Sequence, residues 1–209
     1  MKKICALGLG LAISALSLSA FAVDKIDILE TYSNIAEAKY SDSLITAKVL
    51  QNSVNELVAS PSPSTLAAAR QAWLSSRVPY QQTEVYRFGN AIVDDWEGKV
   101  NAWPLDEGLI DYVDKSYGGP SDDNPFAIVN VIANKSFTIS GKKIDTKEIT
   151  PDLLSNELHE IDGIESNVAT GYHAIEFLLW GQDLNGHGQG AGMRAYTDFK
   201  VGSDCTGGN

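Results

Sequence analysis

From Asp24 to Ser60 the chain reads as one long amphipathic helix. Ile28, Tyr32, Ile35, Ala47, Leu50, Val54 and Leu57 recur at steps of three and four residues or their multiples. "SPSPS", residues 60–64, breaks this pattern, and Ser64 is placed to cap a second helix running towards Phe88. Two long helices joined by so short a turn pack antiparallel. The expected fold class is therefore mainly α, an up-down bundle of long helices. Pro79 falls inside the second pattern, where it predicts a kink or an early stop.

The remainder is less regular. Residues 89–150 show mixed chemistry, with "SYGGPSDDNP" a loop by composition. "SFTISGKKID", residues 136–145, alternates around a glycine and predicts a small β-hairpin. Thr150-Pro151 is a good helix start, for a helix reaching His159 or Glu160. A last helix is expected from about Ile164 to Trp180, ended by Gly181. "NGHGQGAGM", residues 185–193, is a glycine-rich loop.

The chain opens like an export signal. Lys2 and Lys3 precede the apolar run 4–18, and Ala20-Phe21-Ala22 is a small-x-small cleavage site. This divides the chain into a signal peptide, 1–22, and one helical domain, 23–209, and it predicts a periplasmic protein. The formal net charge is −11, and the leader carries two lysines and no acid, so the mature chain is more acidic still. Such a balance repels nucleic acid and anionic lipid. Removal of the leader leaves Cys205 as the one remaining cysteine, in the polar end "SDCTGGN".

His173 and Glu176 lie three residues apart in "GYHAIEFLLWGQ", so they share a helix face. An imidazole and a carboxylate so placed make half of a metal site, or a hydrogen-bonded pair with no metal. Gly171 leaves the backbone bare just before them. On the second helix Trp73, Arg77, Tyr80 and Glu84 are spaced four, three and four. That is a core stripe carrying polar groups where a plain bundle would use Leu or Ile. It predicts a site between helices, or an Arg77–Glu84 pair at the rim. His159 suits a helix C-terminus, and His187 an exposed loop. His173-Ala-Ile-Glu176 lacks the second histidine of the zinc-peptidase helices.

Three segments together, "GYHAIEFLLWGQDLNG", "AWLSSRVPYQQTEVYRFGN" and "VNAWPLDEGLIDYV", resemble the imelysin family of exported bacterial proteins, closest to its iron-regulated periplasmic members. The resemblance places the family's Gly-x-His-x-x-Glu motif on Gly171, His173 and Glu176. It implies a helical protein tied to iron acquisition, with Arg77 and Glu84 facing the same site, in agreement with the polar stripe that also carries Tyr80. It also implies other periplasmic or outer-membrane uptake components as partners. Imelysins are about twice as long, which implies an N-terminal portion in which Cys205 has lost a disulfide partner.

Three functions follow as expectations. The first is binding of a metal ion, iron or zinc, by His173, Glu176 and Glu84. The second is a metal-dependent peptidase with Glu176 or Glu84 as general base. The third is a structural module in which His173 and Glu176 only bond each other.

Overall fold

A computed structural model describes residues 23–122 and 124–206, so the expected leader lies outside the described residues. The chain is mainly helical with one two-stranded sheet. α1 spans Lys25–Ala59, close to the expected bounds. Of the expected stripe, Leu50 and Leu57 are buried and Val54 packs against them. Ile28, Tyr32 and Ile35 are about half exposed. The chain divides into two units inside α1, after Ile35. In the first, residues 24–35, the helix shows its apolar side chains to solvent. The second, from Ala36 on, holds everything described below. Among the described residues no helix is long and apolar enough to cross a membrane.

α2 spans Pro63–Gln81, and its cap lies two residues before the expected one. The cap is Ser62 rather than Ser64. Thr65 N donates to Ser62 Oγ at 3.1 Å, and Ser62 N donates to Thr65 Oγ1 at 3.0 Å. This reciprocal box satisfies two backbone donors, and Pro63 fits the first helical position because no N–H is needed there. The helix ends two residues beyond Pro79, short of the expected Phe88, and a single tight turn Glu84–Tyr86 follows.

α3, Ala91–Val100, falls in the stretch expected to be irregular. Its buried position is taken by Glu97, while Ile92 is 83% exposed, so hydrophobic periodicity does not reveal it. The short α4, Glu107–Ile110, is capped by Asp106, whose Oδ1 accepts from Gly108 N. β1, Ser136–Ile139, pairs antiparallel with β2, Lys142–Asp145, as expected. Ser140 and Gly141, at φ +48° and +78°, make the tight turn between them. At Thr150 the hydroxyl accepts from Leu153 N, and a wide-turned helix runs Leu153–Leu158.

α5 spans Gly171–Trp180, starting later than expected. The segment before it bonds across a loop instead of along a helix. Asp106 N donates to Ser166 O, and Glu160 N donates to Asn167 O. The buried Asn167 side chain donates to Ile161 O. α5 is the centre of the packing. Tyr172 and Leu179 join α1 and α2 in one core, with Leu57, Ala69 and Trp73. Ala174 and Phe177 pack with Ile110 of α4 on another side. A third core under the hairpin holds Leu109, Ile144 and Leu158.

Candidate functional site

α5 enters the site through a backbone approach that only glycine allows. Gly171 sits at φ +90°, and a Cβ there would lie 2.5 Å from Val100 O. The end of α3 is fastened to the same place. His159 Nε2 bonds Gly98 O at 3.0 Å, and Thr170 Oγ1 donates to Lys99 O at 2.8 Å. His159 Nδ1 meets Thr170 Oγ1 at 3.2 Å, so both ring nitrogens serve this junction. His187 is exposed in the glycine loop, and Cys205 is a half-buried free thiol.

One turn on, His173 Nδ1 and Glu176 Oε2 are 3.0 Å apart. The imidazole is mostly buried, its side chain 19% exposed against 42% for Glu176. The Trp103 ring leans on the imidazole with centroids 4.9 Å apart. The pair lines a cavity of ≈490 Å³. Trp73, Trp103 and Trp180 form much of its wall, and Glu107 and Asp183 add two more carboxylates. The far wall is the stretch 190–192. A Cβ on Gly192 would lie 2.3 Å from Gly181 O, so the loop can close down on the end of α5 only with glycine there. Asp183 holds the loop by accepting from Asn185 N and Nδ2.

Burial raises the Glu107 carboxyl above its ordinary range, and Asp106 and Asp183 add to the shift. A raised carboxyl favours the folded state below its unfolded value, near 4. That contribution is lost as pH rises through the folded value. Glu107→Gln is therefore expected to melt higher than the parent at pH 7, the two converging below about pH 4. Thermal melts across that range check this; a variant that melts lower at pH 7 contradicts it.

Arg77 and Tyr80 belong to a neighbouring cluster. The Arg77 guanidinium lies 5.0 Å from the Tyr172 ring centroid and 5.2 Å from that of Tyr80. Its Nη1 donates to Asn101 Oδ1 at 2.5 Å, so its partner is an amide and not Glu84. Asn101 Nδ2 in turn donates to Glu97 Oε1 at 3.1 Å. The Tyr80 hydroxyl donates to the same oxygen at 3.4 Å, and Arg87 pairs with it at 3.0 Å. Burial and the Glu97 charge hold the Tyr80 phenol protonated, far above its usual range. Glu97 and Asn101 line a second cavity of ≈380 Å³, and Trp103 lines both.

The structure thus brings His173 and Glu176 together beside Gly171. Arg77 reaches them only through Trp73, whose ring it shares. Glu84 is exposed on its turn and does not line the cavity. Among the described residues no three His, Cys, Asp or Glu side chains come together as a ready group for a metal ion. Sequence reasoning missed Trp103, Glu107, Asp183 and Glu97. "AWPLDEGLIDY" mixes acids with tryptophan and proline, but nothing in the linear order brings it against α5.

The imelysin family model matches residues 36–209. Among curated proteins, "Iron-regulated protein A" of Synechococcus elongatus is 36% identical over 64 residues. That match covers 30% of this chain and 18% of the relative.

Proposed function

The chain belongs to the imelysin family, and from that premise we propose that it binds a metal ion, iron in the first place, at His173 for iron acquisition or homeostasis. The observation that carries this reading is the 3.0 Å bond between His173 Nδ1 and Glu176 Oε2. A carboxylate on one ring nitrogen fixes the tautomer and leaves the other nitrogen to a ligand, as at metal-bound histidines. His173 Nε2 is the nitrogen donor we assign, on a cavity that carboxylates also line. Imidazole with carboxylates suits iron and zinc alike. Iron here is cargo, and the name of the cyanobacterial relative supports that link. The basic and apolar composition of residues 1–22 supports a place outside the cytoplasm, with the periplasm as our assignment.

Calorimetric titration with ferrous, ferric and zinc ions tests this. We expect His173→Ala to abolish binding. We expect Glu176→Gln to weaken it about 10- to 100-fold, the usual cost of losing the group that orients a ligating histidine. Equal binding by both variants and the parent removes the reading.

A further inference from the structure

The cavity beside His173 is much larger than an ion requires. It holds ≈490 Å³, against about 30 Å³ for one water in the liquid. Its aromatic wall is unusual for so small a site, with the indoles of Trp73, Trp103 and Trp180 on one space. Trp73 and Trp180 stand edge to face with centroids 5.3 Å apart. Both rings already take a cation. Arg70 lies 5.5 Å from the Trp180 centroid and Arg77 lies 5.7 Å from that of Trp73.

Among the described residues the charged side chains that line this space are acids, Glu107, Glu176 and Asp183, while Arg70 and Arg77 stand against the Trp180 and Trp73 rings. Among the described residues none of these three carboxylates forms an ion pair with Lys or Arg; Glu176 meets only His173. The acids are also spread along the wall, with no three metal-binding side chains converging on one point. A compact ion needs donors at about 2 Å. A bulky cation with dispersed charge does not. It is stabilised by indole faces and by carboxylates at longer range.

We propose that this cavity binds an organic cation, an alkylammonium or guanidinium compound. Its apolar body lies along Trp73, Trp103 and Trp180, and its charge faces Glu107 and Asp183. Trp103, 68% exposed, forms the lip over which the ligand enters. This goes beyond the metal reading and does not rest on it.

Choline and agmatine are the probes, titrated into the purified protein by calorimetry and tryptophan fluorescence. Excess EDTA keeps metal out of the result. We expect both cations to bind, and 3,3-dimethylbutan-1-ol, the neutral isostere of choline, not to bind. Trp103→Ala and Glu107→Gln are each expected to weaken binding about two- to fivefold, the scale of one cation contact at a partly exposed site. Binding should be equal with and without EDTA, which sets it apart from metal binding. Circular dichroism and melting curves matching the parent confirm that each variant folds, and Trp103→Leu stands in if Trp103→Ala does not. The proposal is overturned if neither cation binds, if the neutral isostere binds equally well, or if the folded variants at Trp103 and Glu107 bind like the parent.

Discussion

Replacing Arg194 by alanine is expected to destabilise the fold by about 3–5 kcal/mol, the cost of stranding buried charges. Its Nη1 donates to Asp111 Oδ2 at 2.6 Å and to Asp198 Oδ2 at 3.1 Å. The Arg194 side chain is 3% exposed, and those of Asp111 and Asp198 are 9% and 7% exposed. The guanidinium also lies over the rings of Tyr112 and Phe177. Burial, together with its hydrogen bond to Asp198, pushes the Tyr112 phenol up to about 12, so it remains a donor at neutral pH. Without the arginine, two carboxylates would keep their burial and lose their cation. Urea melts should show a lower midpoint with an unchanged slope. Adding Asp111→Asn and Asp198→Asn to the alanine variant should restore part of the loss, because neutral amides are cheaper to bury than charges. No loss in the single variant would mean that the cluster is more hydrated than its burial implies.

The second large effect is expected at Gly171. An alanine there meets two costs together. The left-handed φ is strained for any residue with a Cβ, by about 1–3 kcal/mol. The new carbon would also lie 2.5 Å from Val100 O and 2.9 Å from Lys99 O, both backbone atoms that cannot swing aside. Overpacking of this kind adds about 1–3 kcal/mol. The start of α5 would have to lift from the end of α3, carrying His173 with it. A combined loss of about 2–6 kcal/mol is expected in chemical denaturation, together with weaker binding of the metal proposed at His173. A variant that melts and binds like the parent would show that the close approach is dispensable. Glycine precedes the histidine because two backbones meet there.

How far the sequence revealed all this depended on what kind of group fills each buried position. α1 was legible because Leu50, Val54 and Leu57 keep a helical rhythm. The hairpin was legible from its alternation and its glycine turn. The Gly-His-Glu spacing placed His173 and Glu176 on one helix face, and they do meet. α3 was not legible, because its inward residue is Glu97, a charge held by Arg87, Asn101 and Tyr80. Polar inward positions carry no hydrophobic period. The start of α5 was misplaced because residues 164–170 spend their backbone groups on loop partners. The polar stripe of α2 predicts a site between helices or an Arg77–Glu84 pair; Glu84 is exposed and Arg77 turns to Asn101, a residue on no recognisable pattern. Glu107 and Asp183 share a cavity with His173 only through the fold, since they come from α4 and from the loop after α5.

Trp103 lines two chambers, the one beside His173 and the one beside Glu97. A single indole that walls both cannot be displaced for the benefit of one alone. An occupant that rotates it enlarges its own room and reshapes the room next door. If occupants of both chambers act on that rotation, the factor by which the first changes the affinity of the second equals the factor by which the second changes that of the first, since linkage between binding sites is reciprocal. Its emission would then report on both chambers through one fluorophore.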